Sequence, residues 1–341
     1  MQRRRFVHAA AAMLAAPLAA RAQPPDKAHL TIAVGGKNLL YYLPLTVADS
    51  LGYFKAEGLE VSIADFAGGS RALQAVVGGS ADVVCGAFEH TISMQIKGQR
   101  MRAFVLQGRA PQIVLGINPK TLGNFKSLSE LRGKKLGVTA PGSSTHVLAN
   151  YVLAKAGVKP GEVSIIGVGA GSGAVAAMRA GQIDAISNLD PVITLLLRSG
   201  DLTIVSDTRV ISEADRVFGG PMPAACLYAP QSFIDKYPLA TQAVTNAVVR
   251  ADRWIQQAGA ADIIRAVPES YLLGDRAVYV DAFLASKGAL SPDGLIPEAG
   301  AETARRALAS IDPEVAGAKV DLNALYTNDF AKRADVKYPR G

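Results

Sequence analysis

Gly69-Ser70-Arg71-Ala72-Leu73-Gln74-Ala75-Val76-Val77-Gly78-Gly79-Ser80-Ala81-Asp82 is answered 102 residues later by Gly171-Ser172-Gly173-Ala174-Val175-Ala176-Ala177-Met178-Arg179-Ala180-Gly181-Gln182-Ile183-Asp184. Gly69, Ser70, Ala72, Ala75, Gly79 and Asp82 recur in register as Gly171, Ser172, Ala174, Ala177, Gly181 and Asp184. Each copy follows an apolar strand (residues 61–66 and 163–168), turns on small residues into a short helix, and passes a glycine into another strand (83–86 and 185–188). Strands alternating with short helices predict parallel α/β sheets, and two copies predict two similar lobes with a crevice between them.

Outward from the repeat, the N-terminus indicates where the crevice works. Arg3-Arg4-Arg5-Phe6-Val7 pairs arginines with an aromatic and an aliphatic residue, an apolar run covers residues 9–20, and Ala20-Arg21-Ala22 is a small-x-small cleavage pattern. The run is about half of what spans a bilayer, so residues 1–22 read as a secretory signal of the twin-arginine type, and the protein as periplasmic. Removing them takes away four arginines and no acids, so the formal charge falls from +7 to +3. No cluster of Lys or Arg accompanies that charge, which argues against nucleic-acid binding. No later apolar run reaches roughly 18 residues unbroken, so no transmembrane helix is expected.

The remaining 319 residues, in a chain with 49% apolar composition, suffice for two modest cores. Residues 23–110 and 225–341 are assigned to lobe 1 with the C-terminal helices, and residues 111–224 to lobe 2. Strands are expected at 30–34, 59–64, 102–107, 135–138 and 202–206, and helices at 43–50, 91–96, 144–156 and 192–198. Residues 112–117 and 224–228 are the expected crossovers between lobes. Beyond them, 241–257, 275–286 and 301–309 read as amphipathic helices. Cys85 and Cys226 are the two cysteines, both in predicted strands; a disulfide and two buried thiols are both open readings.

Leu51-Gly52-Tyr53-Phe54-Lys55-x-Glu57-Gly58-Leu59, Gly142-Ser143-Ser144-Thr145-His146, Gly181-Gln182-Ile183-Asp184-Ala185, Asp190-Pro191 and Tyr326-Thr327-Asn328-Asp329-Phe330 occur in this order over nearly all of the chain. In these segments the sequence resembles the periplasmic solute-binding proteins of nitrate, sulfonate, taurine and thiamine-precursor importers, the group called SsuA/THI5-like or NMT1-like. The resemblance implies a type II periplasmic binding fold, α/β, with two doubly wound parallel-sheet lobes joined by two crossover strands. It also implies a monomer that closes on one small ligand and delivers it to an ABC permease of the inner membrane, without cofactor, metal or chemistry of its own.

In open parallel sheets the ligand sits beyond the carboxyl ends of the strands. The candidate residues in lobe 1 are therefore Asn38, Tyr41 and Tyr42 after the first strand, Gly68, Gly69, Ser70 and Arg71 in the repeat loop, Gly86, Ala87, Phe88 and Glu89 after the next strand, and Gln107. In lobe 2 they are Gly142, Ser143, Ser144, Thr145 and His146, with Asn188 and Asp190. Ser70 and Ser144 each stand where a helix begins in a glycine-rich loop, so unpaired N–H groups can face the ligand and favour an anionic or strongly accepting one, or the serines can act as plain N-caps. Tyr41, Tyr42 and Phe88 offer apolar wall, while Asn188 and Asp190 can hydrogen-bond a polar group. Leu189 and Val192 flank Asp190-Pro191 where sulfonate-binding relatives commonly carry an aromatic, which weakens the case for a sulfonate. His90 and His146 fall in cleft loops of opposite lobes; hydrogen bonding suits them better than metal binding, since no zinc-type spacing is present. A receptor of a tripartite tricarboxylate-type importer is the alternative with the same plan. A thiamine-pyrimidine synthase-like enzyme is a weaker one, since no cysteine cluster or nucleophile motif appears.

Overall fold

The computed structural model describes residues 23–339, so the expected signal segment lies outside the described residues. Strands β1 (His29–Val34), β2 (Glu60–Asp65), β3 (Val83–Ala87) and β4 (Met101–Leu106) form one sheet, and β5 (Ile113–Ile117), β6 (Lys135–Val138), β7 (Ser164–Gly167), β8 (Ala185–Leu189) and β9 (Thr203–Asp207) the other. The first sheet is completed by β10 (Ala225–Pro230). Its order is β2-β1-β3-β10-β4, and that of the second is β7-β6-β8-β5-β9. The orders are the same position for position, which is what the 102-residue repeat predicts. In each copy a strand, a helix (Gly69–Val77 or Ser172–Arg179) and a second strand occupy matching places.

Each sheet takes its fourth strand from a crossover. β5 follows directly on the last strand of lobe 1 and pairs antiparallel with β8 and β9, while β10 returns from lobe 2 and pairs antiparallel with β3 and β4. Direction is forced by geometry. A chain leaving the cleft end of β4 enters the other sheet at its cleft end, so it must run away from the cleft, opposite to the strands that end there. Every residue of β3, β5 and β8 is buried, because helices cover both faces of each sheet.

The cysteines are both buried and both free. Cys226 pairs across the ladder with Gly86, and Leu227 with Cys85. Side chains alternate along a strand, so the two sulfurs point to opposite faces of one sheet and no disulfide joins them.

Helix Pro238–Gln257 packs on Leu43–Ser50 and on the last helix, Asp329–Lys337, which the sequence reading left unassigned. The apolar face of that last helix is only Phe330, Ala331 and Ala334 among charged neighbours, so its burial depends on the partner. Helix Arg276–Ser286 reaches lobe 2 and packs on Val192–Arg198, with an Arg198–Asp281 ion pair at 3.0 Å. The C-terminal segment thus touches both lobes. Among the described residues no helix is long and apolar enough to cross a membrane.

Candidate functional site

The loops at the strand ends meet across the cleft in two reciprocal pairs. Asn38 in the loop after β1 donates its side-chain amide to the Ala170 carbonyl at 3.0 Å, and a Cβ on Gly68 would stand 2.7 Å from the Cβ of Ala140. Asn38 and Ala140 are equivalent at the 102-residue offset, as are Gly68 and Ala170. The two contacts are therefore one contact repeated by the pseudo-symmetry of the lobes. Gly68 has extended backbone, so the absence of a side chain serves the close approach of lobe 2 and not an unusual conformation.

Ser70 and Ser143 hold the Gly68–Ala140 pair together. The Ser70 N–H donates to Ser143 Oγ at 3.0 Å, and Ser70 Oγ donates to the Pro141 carbonyl at 2.9 Å. Ser143 precedes helix Ser144–Lys155 in extended backbone, the geometry of an N-cap, yet its side chain makes no capping bond. Its oxygen is engaged by the other lobe instead. Two further bonds cross the cleft: Leu40 N–H to the Asp190 carbonyl at 3.0 Å, and His90 Nε2 to the Gly142 carbonyl at 3.4 Å. With Nε2–H as donor, Nδ1 of His90 is left to accept the Tyr228 hydroxyl at 2.9 Å, which fixes the neutral tautomer. Burial pushes the His90 pKa down to about 4 in agreement with that.

Beneath these contacts a chamber of about 10 Å³, room for roughly one water, lies between the lobes. Tyr41 and Glu89 wall it from lobe 1, Ser144, Val147 and Leu148 from lobe 2, and Pro111, Ile113, Phe218, Met222 and Ala224 from the crossover segments. The Tyr41 hydroxyl is buried and has no hydrogen-bond partner among the described residues. Burial pushes the Glu89 carboxyl up to about 7. Wider hollows of about 510 and 680 Å³ open on the outer faces of lobe 2 and lobe 1, away from the cleft.

The other candidate residues stand behind or beside the chamber. Asn188 is fully buried and its amide is used within lobe 2, donating to the Gly169 carbonyl at 3.0 Å and accepting the Leu189 N–H at 2.9 Å. Asp190 accepts the Thr194 N–H and hydroxyl, and its second oxygen meets Arg209 at 3.2 Å and the Ser286 hydroxyl at 3.3 Å. Gln107 accepts the Leu45 N–H and donates to Cys85 Sγ, both within lobe 1. Tyr42 accepts the Gly35 N–H, and Phe88 packs edge-on against Tyr326. Ala87 is buried in β3, and Tyr228 lies against Gly86. Arg71 points along its own helix to Gln74. Gly69 opens that helix, with His90 against the place of its missing Cβ. Thr145 bonds Thr139, and His146 accepts the Gly142 N–H. Among the described residues no three His, Cys, Asp or Glu side chains converge as a metal would require.

Tyr228, Phe218 and Met222 escaped the sequence reading, and Ala140, Pro141 and Ala170 fall in the strand-end loops 140–146 and 169–172 that it places at the crevice, though it does not single them out there. The offset carries the signal for two of them, since Ala140 and Ala170 are the counterparts of Asn38 and Gly68. Phe218 and Met222 lie in the return to β10, where no repeat exists to mark them.

A model described as the NMT1-like family matches residues 23–267, most of the chain and both sheets. This chain belongs to the NMT1-like family. Within the solved structures, one from Bordetella bronchiseptica is 60% identical, covers 93% of this chain and 100% of its own, and superposes with a TM-score of 0.91. The alkanesulfonate-binding protein SsuA from Xanthomonas axonopodis pv. citri, bound to MOPS, is 18% identical over 89% of this chain and 99% of its own, TM-score 0.69. The periplasmic nitrate-binding protein NrtA from Synechocystis is 16% identical over 93% and 90%, TM-score 0.72. At these identities the last two establish the periplasmic binding fold alone. So does DszB, a desulfurization enzyme, 13% identical over 92% of this chain and 100% of its own, TM-score 0.61. This member of the NMT1-like family thus shares its fold with receptors and with an enzyme, and fold by itself does not choose between them.

Proposed function

We propose that this chain is the periplasmic solute receptor of an ABC importer: it captures a small organic or anionic solute between its lobes, closes, and presents itself to the membrane permease as a monomer. The observation that carries the reading is the reciprocal meeting of loops from both lobes over a buried chamber. Each of the bonds that cross the cleft requires closure, so anything bound beneath them is bound by the closed form, and binding is coupled to a change of shape that a permease can read. The sulfonate and nitrate receptors named among the fold neighbours support the same reading.

An enzymatic role for the chamber is opposed by its chemistry. The thiols of Cys85 and Cys226 are pushed up by burial, and neither cysteine walls the chamber. His90 is engaged at both nitrogens. Among the described residues, no nucleophile hydrogen-bonded to a free base lines the chamber.

Small-angle scattering with a thermal-shift screen tests the proposal on a panel of small organic acids, amines, sulfonates, nitrate and pyrimidines. A solute at about 100 times its dissociation constant adds about 2.7 kcal/mol, a shift of a few degrees, and should reduce the radius of gyration in the same titration. Stabilisation without compaction, or conversion of the bound solute to a product, overturns it. A neighbouring ATPase and single permease gene would favour the ABC system, and two membrane subunits without an ATPase the tripartite one.

A further inference from the structure

We infer that the outer edge of β9 is an interaction surface: it accepts an extended, uncharged, largely apolar segment of a partner protein, added parallel to it as a further strand of the second sheet. For the identity of the partner alone the inference rests on the receptor reading, under which the segment belongs to the membrane permease.

β4 and β9 are the last strands of their sheets and stand at equivalent edges. Both carry a bulge at the same place. The register of β4 on β10 shifts between Leu227 and Tyr228, and that of β9 on β5 between Leu115 and Gly116. Ala103 opposite Tyr228 therefore corresponds to Ile204 opposite Gly116, and Leu106 opposite Cys226 to Asp207 opposite Val114. In lobe 1 the chain covers this edge itself. Ala103 donates its N–H to the Leu325 carbonyl at 2.9 Å and accepts the Thr327 N–H at 2.8 Å, in a parallel bridge to Tyr326, and the Leu106 N–H donates to the Gly294 carbonyl at 2.8 Å. In that position Leu325 is fully buried and Tyr326 packs edge-on against Phe88.

Among the described residues nothing does the same for β9: no bridge and no backbone–backbone bond reaches residues 203–207 from outside the sheet. The matched register turns the Ile204 N–H and carbonyl and the Asp207 N–H outward, as it does those of Ala103 and Leu106. Ile204 is 39% exposed, and beside the strand opens the hollow of about 510 Å³, walled in part by Leu128, Val152, Val205 and Val217. An aliphatic or aromatic side chain of an added segment thus has apolar surface to cover.

The usual protections of a free edge are missing. Residues 203–207 include no lysine and no proline, and their one charge, Asp207, is met by Arg209 at 2.6 Å. Nor does the bulge prevent pairing, since β4 carries the same bulge and is bridged. Strand addition draws affinity from main-chain bonds and selectivity from alternate side chains. The lobe 1 cover, Leu325-Tyr326-Thr327, shows the chemistry that such an edge accepts in this fold: one aliphatic, one aromatic and one hydroxyl residue, none of them charged.

A synthetic peptide with the sequence of residues 322–328 is the probe, titrated into the purified protein by fluorescence anisotropy, with amide exchange followed in the same samples. Binding should saturate, and exchange at Ile204 and Asp207 should slow by about tenfold or more while that at Ala103, already covered, is unchanged. Ile204→Lys, a blunted edge at an exposed position, should weaken binding by about tenfold or more with cooperative unfolding retained. The same loss is expected for the parent protein with a Thr327→Pro peptide, which lacks the N–H offered to the Ile204 carbonyl. No saturation into the millimolar range, an affinity indifferent to both changes, or new protection at β4 in place of β9 overturns the inference. So does a concentration-dependent dimer that Ile204→Lys abolishes, since the edge would then serve a second copy of the chain. None of these outcomes bears on solute capture; the receptor reading fails separately, on absence of compaction in the scattering experiment.

Discussion

Glu89 and His90 are consecutive residues on which the same burial acts in opposite directions. Removal from water disfavours the charged form of each, so the carboxyl rises from its ordinary 4.5 to about 7 and the imidazole falls from 6.5 to about 4. The consequences for stability are opposite too. Glu89 binds its proton more tightly in the folded chain, so its contribution is complete below about pH 4.5 and is lost as pH rises through about 7; His90 is stabilising above about pH 6.5, and that is lost as pH falls through about 4. Glu89→Gln removes the first loss. Its Tm should match the parent's near pH 5 and exceed it by a few degrees near pH 8, each pKa unit being worth about 1.4 kcal/mol. An offset of equal size at both pH values in calorimetric melts would show that Glu89 does not titrate in the folded protein.

At the scale of elements, the decisive device is a serine that leaves its own helix uncapped. Ser143 could bond an N–H of its own helix and instead accepts the N–H of Ser70, so helix Ser144–Lys155 forgoes a cap worth about 1 kcal/mol in favour of contact with helix Gly69–Val77. The contact depends on a residue without a side chain. Any Cβ at Gly68 would stand 2.7 Å from Ala140 Cβ and 2.9 Å from Ser143 Oγ, whereas the extended backbone at Gly68 accepts any residue. Gly68→Val therefore acts as a wedge between lobes. Each lobe should fold with near-parental stability, while solute binding weakens by about tenfold or more and scattering shows no compaction on addition of a solute that compacts the parent. Parental affinity in this variant would mean that the lobes need not meet at Gly68 for a ligand to be held.

For the whole molecule, two sheets of identical strand order are joined by two crossings: the second sheet is complete in one continuous stretch, β5 to β9, whereas the first waits until the chain has crossed twice and returned as β10. Helix Arg276–Ser286 adds a third link by packing on lobe 2 after the last crossover, with Ser286 reaching Asp190. The export route is a property of residues 1–22, whose sequence reads as a twin-arginine signal, and not of the fold. Replacing Arg3 and Arg4 by Lys should therefore leave precursor in the cytoplasm, because paired guanidinium groups are the readable part of a twin-arginine signal. Fractionation showing undiminished periplasmic protein would assign export to the general secretory route.

Much of this was legible in the linear chain. The repeat at 102 residues implied two equivalent lobes, β6 and helices Leu43–Ser50 and Val192–Arg198 fall where the pattern of apolar residues put them, and both crossovers were marked by apolar runs, one after each repeat. Local pattern suffices there because the period of burial along a strand or helix is written in the residues themselves. What it could not carry is direction and partnership. Nothing in residues 113–117 or 225–230 indicates that those strands run antiparallel to their sheets, since direction follows from which end of the cleft the chain enters. Asn188, Asp190 and Gln107 have side chains suited to a ligand, yet the fold satisfies them with protein groups: Asn188 and Gln107 within their own lobes, Asp190 with Thr194, Arg209 and, from helix Arg276–Ser286, Ser286. Tyr41 and Glu89 are left facing the chamber only because two loops and two crossover segments, distant in sequence, close around them. Composition determined which groups could bind a solute; burial and the prior claims of neighbouring atoms decided which remain available to it.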